Sequence, residues 1–254
     1  MLNGVSVIVT RPQAQAETLK KTLSGLGAVV ITLPGLEILP IKNRKLETTF
    51  LDLDRFQHVI FTSINAACLG MDHLDSYWPQ WPVGIEWYAV GAGTAKILAK
   101  FHIQAHLPEK YHSEGLLALP GLQNLAEQNV LIVKGEGGRP LLADTLKARG
   151  AELKFADVYR RGCPSVCADK QRQVQQALDT NAPLIMVVSS IESLENLQLL
   201  LAPSWTRLHQ RPLLVVSERI AEHARHLGFQ NISVSPKPDD SSVIEALALL
   251  TKHG

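Results

Sequence analysis

Short runs of apolar, mostly β-branched residues recur along this chain, and polar or glycine-containing turns bound each run. VSVIVT (5–10), HVIFTS (58–63) and LIMVVSS (184–190) are typical of them. These runs are too brief for buried helices, so they predict buried strands. Amphipathic stretches follow the strands, and in the first of these stretches Leu19 and Leu23 fall at helical spacing. Strands that alternate with helices predict an α/β fold with parallel sheets and right-handed crossovers.

The series of strands and helices occurs twice. Four blocks from one half resemble four blocks from the other, in the same order: VSVIVTRP and VLIVKGEGGRP, HVIFTSINAA and LIMVVSSIES, WYAVGAGTAKILAKFHI and LLVVSERIAEHARHLGF, LPEKYHSEGLLAL and SPKPDDSSVIEALAL. Gly27 and Gly150 occupy equivalent positions, and each is predicted to end a helix in the left-handed conformation that glycine adopts without steric cost. The sequence therefore predicts an internal duplication and two α/β lobes.

A duplication leaves open whether each lobe is contiguous in sequence. The strand-like segments 36–41 and 155–161 could instead be crossings between the lobes. In that arrangement residues 1–34 pack with residues 164–254, and residues 35–163 form the second lobe. The residue pattern alone favours neither arrangement.

Composition and charge narrow the class of protein. Hydrophobic residues make up 46% of the chain, which is enough to bury a substantial core. A net charge of +1 without clustered lysine and arginine argues against a nucleic-acid or polybasic membrane surface. The chain begins directly with a strand-like segment that lacks signal-peptide features, so we expect a cytoplasmic protein. In that compartment Cys68, Cys163 and Cys167 are expected to be ordinary thiols.

Candidate ligand-binding residues follow the predicted strands. Ligands of open parallel sheets bind beyond the carboxyl ends of the strands, where helix N-termini present free N–H groups. Hydroxyls, glycines and scattered cations recur there, and such a rim suits an anionic ligand, although the hydroxyls also serve as helix N-caps. The cations could alternatively form exposed ion pairs. The candidates are Thr10, Arg11, Ser63, Ile64, Asn65, Gly91, Thr94, Lys134, Gly135, Arg139, Ser189, Ser190, Ser217 and Arg219.

Other kinds of site are not favoured. GAG at 91–93 opens a helix, but Lys96 occupies the third glycine position of a dinucleotide fingerprint. GEGGRP at 135–140 lacks the Lys-Ser/Thr ending of a P-loop. His223 and His226 lie one helical turn apart with Glu222 nearby, but no further metal ligand is indicated. No nucleophile elbow or catalytic triad stands out.

Taken in order, the motifs at the strand ends resemble those of the uroporphyrinogen-III synthase family. They are VTRP (9–12), FTSINA (61–66), AVGAGTA (89–95), HSEGLL (112–117), GEGGRPLLADTLKARGAEL (135–153) and VYRR (158–161). The resemblance implies two α/β lobes joined by a two-stranded connection, with residues 1–34 and 164–254 in the first lobe. It adds Ser113 to the candidate binding residues. At Ser217–Arg219 the chain departs from the glycine-threonine turn found at 91–94, so the resemblance does not by itself extend the hydroxyl contact of that turn to Ser217.

The resemblance also implies a reaction. Linear hydroxymethylbilane would be cyclised to uroporphyrinogen III in a cleft between the lobes, with loss of water, inversion of ring D and no cofactor. Tyr159 aligns with the family's tyrosine and is the candidate acid for the leaving hydroxyl; alternatively it packs between the lobes. We expect a monomer that receives its substrate from the preceding deaminase and has no nucleic-acid or membrane partner.

Two other functions stay open at this point. A bilobal cytosolic protein that binds a small anion would show ligand binding without turnover. A nucleotide-dependent reductase would bind a nicotinamide cofactor saturably. Both are compatible with duplicated α/β lobes, but neither accounts for the ordered series of motifs.

Overall fold

A computed structural model describes residues 2–165 and 168–251; Cys167 lies outside the described residues. The strands are β1 (Ser6–Val9), β2 (Val29–Thr32), β3 (Glu37–Pro40), β4 (His58–Phe61), β5 (Glu86–Ala89), β6 (Asn129–Gly135), β7 (Glu152–Gly162), β8 (Leu184–Val188), β9 (Leu213–Val215) and β10 (Ile232–Val234). The helices are α1 (Gln13–Gly25), α2 (Arg44–Leu51), α3 (Ile64–Tyr77), α4 (Ala92–Ala99), α5 (Ser113–Leu117), α6 (Leu141–Ala148), α7 (Ala168–Asp179), α8 (Ile191–Leu200), α9 (Trp205–Leu208), α10 (Glu218–His226) and α11 (Asp240–Leu250).

The chain divides into two compact units. Unit 1 consists of Met1–Glu37 and Gly162–Gly254, and unit 2 consists of Ile38–Arg161. The chain passes from unit 1 to unit 2 at β3 and returns at the end of β7, and these two strands are hydrogen-bonded neighbours. The connection between the units is therefore two-stranded, as the resemblance implies.

Each unit contains a five-stranded sheet, and the two sheets repeat one topology. The strand order is β10-β9-β8-β1-β2 in unit 1 and β3-β7-β6-β4-β5 in unit 2. The sequence blocks pair β1 with β6, β8 with β4, and β9 with β5. Under that pairing the order β2-β1-β8-β9 corresponds to β7-β6-β4-β5, and every neighbouring pair in both series is parallel. The sequence repeat is thus a repeat of architecture.

The equivalent glycines end equivalent helices. Gly27 and Gly150 both have φ of 91°, which confirms the predicted left-handed conformation. After each glycine the chain turns back onto its helix: the N–H of Ala28 donates to the carbonyl of Leu23 at 3.1 Å. The N–H of Ala151 likewise donates to the carbonyl of Leu146 at 3.1 Å. These bonds satisfy carbonyls that a helix end otherwise leaves free.

Apolar side chains cover both faces of the central strands. In β1, Ile8 belongs to one hydrophobic cluster while Val7 and Val9 belong to another. In β4, Ile60 lies in one cluster and Val59 in the other. This arrangement explains why the strands are continuous apolar runs rather than alternating ones. Within residues 2–165 and 168–251, no helix combines the length and apolarity needed to cross a bilayer.

Candidate active site

A pocket of about 560 Å³ lies in unit 2. Residues from the ends of β4, β6 and β7, from the loop after β6, and from α2 and α5 line it. The sequence-predicted candidates that line this pocket are Ser63, Ser113, Lys134, Gly135, Arg139 and Tyr159. These candidates, which are far apart in sequence, thus line one cavity of the size that small-molecule sites commonly have.

The hydroxyls of Tyr159 and Ser63 meet at the pocket. Tyr159 Oη lies 3.2 Å from Ser63 Oγ, while the tyrosine as a whole is only 4% exposed. Ser63 is also the N-cap of α3, where its Oγ accepts a hydrogen bond from the N–H of Ala66 at 3.1 Å. Because this oxygen already accepts from the backbone, its own proton is available for donation to the phenol oxygen. The cap therefore orients the serine toward the tyrosine.

Gly135 makes room for the tyrosine ring. A Cβ at this position would lie 2.5 Å from two ring carbons of Tyr159 and 2.9 Å from its hydroxyl oxygen. The register of β6 against β7 shifts between Lys134 and Gly135, which places Gly135 opposite Tyr159. The N–H of Glu136 then donates to the tyrosine carbonyl at 2.8 Å. Gly135, a candidate binding residue that lines the pocket, therefore also makes room for Tyr159.

Lys134 is engaged by the protein itself. Its Nζ lies 3.0 Å from Asp157 Oδ1, and it donates to the carbonyls of Gly135 and Gly137 at 3.1 and 2.8 Å. Gly137 and Gly138 both have positive φ, so the loop after β6 makes a tight turn around this ammonium group. The lysine stabilises the loop that borders the pocket.

Exposed cations also line the pocket, and Arg161, near the end of β7, is one of them. Arg139 stands in the loop after β6, and Lys45 stands on α2. Lys45 is not among the residues predicted from sequence, because an exposed lysine on an amphipathic helix carries no local sign of a site. Only the packing of α2 within unit 2 brings it to the ends of β6 and β7.

The other candidates of unit 2 lie at neighbouring helix starts, outside the pocket lining. Ile64 is the first residue of α3 and is 51% exposed, and Asn65 follows it, half-buried. Gly91 is the N-cap of α4. Thr94 is buried, and its N–H donates to the Gly91 carbonyl at 3.0 Å.

In unit 1 three candidates already have structural partners. Thr10 is fully buried and its hydroxyl donates to the Val187 carbonyl at 2.7 Å. Arg11 pairs with Asp240. Ser190 caps α8 through the N–H of Ser193 at 3.1 Å. The Ser190 cap and the Arg11 ion pair are the contacts that the alternative interpretation of these residue types expected, whereas the Thr10 hydroxyl bonds to β8.

The remaining candidates of unit 1 stand at turns with freer side chains. Ser189 is half-buried, and so is Ser217, which precedes α10 without a side-chain capping bond. Arg219 is exposed in the first turn of the same helix.

The histidine pair of α10 has separate partners. His223 Nε2 lies 3.1 Å from Glu195 Oε1, and His226 Nδ1 lies 2.8 Å from the Glu222 carbonyl. Among the described residues no group of three or more His, Cys, Asp or Glu side chains could hold a metal ion.

Tyr88, the other largely buried tyrosine of unit 2, is the third residue of β5. Burial, together with the nearby Glu86 carboxylate, raises the pKa of Tyr88 to about 12. Its hydroxyl lies 3.2 Å from His58 Nδ1, inside the apolar cluster of that face. This contact is a buried polar pair within the core, whereas the Tyr159–Ser63 pair opens onto the pocket.

Comparison with known proteins decides the family. The family model described as uroporphyrinogen-III synthase HemD matches residues 17–245. The chain belongs to the uroporphyrinogen-III synthase family. The uroporphyrinogen-III synthase of Salmonella typhimurium is 36% identical over 254 residues, which cover 96% of this chain and 100% of that protein. The Escherichia coli enzyme is 36% identical over 252 residues, with the same coverage.

Solved structures of synthases share the fold. That of the Helicobacter pylori synthetase superposes with a TM-score of 0.63 at 17% identity, covering 96% of this chain and 99% of that one. A mutant Thermus thermophilus synthase superposes with a TM-score of 0.59 at 17% identity, covering 98% and 99%. The predicted family and fold class are confirmed, and the assignment of individual site residues stays a prediction.

Proposed function

We propose that this chain cyclises hydroxymethylbilane to uroporphyrinogen III, with Tyr159 as the acid that releases water. The observation that carries this role is the Tyr159 hydroxyl, held 3.2 Å from Ser63 Oγ at a pocket in unit 2. Membership of the synthase family supports the reaction, and the geometry of this pair supports the residue.

The lining of the pocket suits the substrate. Hydroxymethylbilane carries eight carboxylates on four flat apolar rings. Arg139 and Lys45 supply exposed positive charge for carboxylates, whereas the charge of Lys134 is directed at Asp157. Ile132 and Phe155 supply apolar surface for a ring. A lining that combines cations with apolar side chains suits a molecule that carries both carboxylates and apolar rings.

Proton transfer starts the reaction. The Tyr159 hydroxyl donates its proton to the substrate's terminal hydroxyl, the carbon–oxygen bond breaks, and water leaves. The substrate becomes an azafulvenium cation, and the tyrosine oxygen becomes an anion. Ser63 Oγ, at 3.2 Å, can donate a hydrogen bond to that anion. The serine therefore favours the departure of water without touching the substrate.

Ring closure follows without a covalent bond to the protein. The substituted carbon of ring D attacks the cation, and the resulting spiro intermediate fragments and closes again with that ring reversed. Loss of a proton from the new ring junction restores the aromatic pyrrole and returns the proton to Tyr159. Spontaneous closure gives the symmetric isomer, so the protein contributes mainly by holding the chain in the productive conformation.

The cellular setting forms part of the same proposal. We expect the protein to act as a monomer in the cytoplasm, and to receive hydroxymethylbilane from the deaminase that makes it. A reactive linear substrate that closes spontaneously favours short exposure to solvent between the two enzymes.

An isomer assay tests the function. Hydroxymethylbilane is generated in situ with a deaminase, the purified chain is added, and the products are oxidised and separated as uroporphyrins I and III. We expect predominantly isomer III, in proportion to added protein and without metal or nucleotide. Isomer I alone, from a sample with a folded circular-dichroism spectrum, would refute the proposal and favour an anion-binding protein without turnover.

A further inference from the structure

Two large apolar side chains are exposed beside the pocket of unit 2. Ile64 is 51% exposed and Tyr111 is 61% exposed. Ile64 directly follows Ser63, and Tyr111 stands two residues before Ser113, and both of those serines line the pocket. Exposed apolar surface that borders a binding pocket is a common sign of a ligand contact.

The GAG segment at 91–93 supports both side chains. A Cβ at Gly93 would lie 2.7 Å from Ile64 Cδ1 and 3.1 Å from its Cγ1. A Cβ at Gly91 would lie 3.6 Å from Tyr111 Cβ and 3.7 Å from its Cγ. Neither glycine has positive φ, so the backbone conformation does not require glycine at either position. At Gly93 the missing side chain gives Ile64 room to lie against the start of α4.

Local contacts hold the segment that carries Tyr111. The next residue, His112, is the N-cap of α5, and its Nδ1 accepts from the N–H of Gly115 at 3.0 Å. The N–H of His112 donates to the Lys110 carbonyl at 2.8 Å. Gly115 leaves no space for a Cβ next to that carbonyl. Tyr111 is therefore an exposed ring on a braced turn.

We infer that Ile64 and Tyr111 form an apolar platform that holds one pyrrole ring of the substrate beside the pocket. This inference rests on the proposed function. Aromatic rings favour offset or edge contacts with other π-systems, and an isoleucine offers a flat aliphatic surface at low entropic cost. The cations of the pocket hold carboxylates, and the platform fixes the plane of a ring. A ring held in this way contributes to the choice of isomer.

Gly93→Ala tests the platform without removing either side chain. Alanine is a better helix former than glycine, so the melting temperature should stay constant or rise. The added Cβ displaces Ile64, so KM for hydroxymethylbilane should rise about fivefold. Gly25→Ala is the matched control, because Gly25 also lies in a helix but has open space around its Cβ position. We expect the control to leave KM unchanged.

Substitutions of the ring complete the test. Tyr111→Ala should raise KM about tenfold and increase the share of isomer I, and Tyr111→Phe should have a smaller effect on both because it keeps the ring. Val83→Ala, which truncates a fully exposed valine elsewhere in unit 2, should have no effect.

The outcomes separate the two proposals. If the wild-type chain forms isomer III but Gly93→Ala and Tyr111→Ala match their controls in KM and isomer ratio, the platform inference is wrong and the proposed function stands. If the wild-type chain forms isomer I only, the proposed function is wrong and the platform inference falls with it.

Discussion

Contacts to its ring, its backbone carbonyl and its hydroxyl group fix the position of Tyr159. Gly135 leaves room for the ring, the N–H of Glu136 binds the carbonyl, and Ser63 meets the hydroxyl. A side chain with this many constraints has little freedom to lose when a substrate binds, and preorganisation of this kind lowers the cost of reaching the transition state. Removal of the hydroxyl group alone should leave the site intact, because the other contacts still hold the ring in place.

Tyr159→Phe should lower kcat about 100-fold, because it removes the proposed acid and keeps the buried ring. Stopped or quenched assays of isomer III formation measure kcat, and thermal unfolding checks the fold. Tyr77→Phe is the matched control: it removes the same atom from a tyrosine at the end of α3, and it should keep wild-type kcat. Near-normal turnover of the Tyr159 variant would exclude the residue from the mechanism.

In both units, side chains at helix N-caps stabilise the first turn of the helix by hydrogen bonding. Ser63, Ser190 and Asp239 all accept a hydrogen bond from the backbone N–H three residues later. Serine caps are worth about 1 kcal/mol each, so a hydroxyl after a strand has a structural reason to be there whether or not a ligand binds. At Ser63 the two roles coincide, because the capping geometry also directs the hydroxyl toward Tyr159.

The cap of α11 should make stability depend on acid pH. Hydrogen bonds from the Ser241 hydroxyl and from the Ser242 N–H lower the pKa of Asp239 from 3.8 to about 2. A lowered folded-state pKa means that the stabilisation is complete above the unfolded value and is lost as pH falls through about 2. Asp239→Asn keeps a capping oxygen without the charge.

We therefore expect wild type to melt above Asp239→Asn at neutral pH, and the difference to vanish between about pH 4 and about pH 2. Thermal unfolding across that range measures it. Ser241→Ala removes the largest cause of the shift, so the difference should then be smaller and should vanish at a higher pH than in the wild type. A difference that persisted unchanged to pH 2 would contradict the assignment.

The whole molecule contains two units with separate cores. In the part of the chain that the structure describes, each of the four hydrophobic clusters is drawn from residues of one unit. A protein with separate cores can unfold one region at a time, so its unfolding need not be a single two-state transition. A cavity in one core should then have a local effect.

Leu197→Ala should destabilise unit 1 by about 2–5 kcal/mol, because Leu197 is fully buried in α8. Hydrogen exchange should accelerate in β1, β8 and β9 and stay unchanged in β4 and β6. Leu199→Ala, on the same helix but 73% exposed, should change stability by less than about 0.5 kcal/mol. Equal acceleration in both sheets would show that the cores unfold together.

Local sequence determined the strands, the helix ends and the duplication. Burial of a strand on both faces requires an unbroken apolar run, and a left-handed helix end favours glycine. The conformations of Val7–Val9 and Gly27 can therefore be predicted from the residues adjacent to them in sequence. The ordered motifs, taken with these elements, were enough to indicate the family.

Only tertiary structure decided what the individual site residues do. Ser63 and Tyr159 lie 96 positions apart in sequence, yet their oxygens are 3.2 Å apart. Both Lys134 and Lys45 line the pocket. Lys134 forms an ion pair with Asp157, whereas Lys45 belongs to no motif that would have indicated a site. The reason is physical: backbone conformation depends on adjacent residues, but the direction and partners of a charged or hydroxyl side chain depend on which distant elements pack beside it.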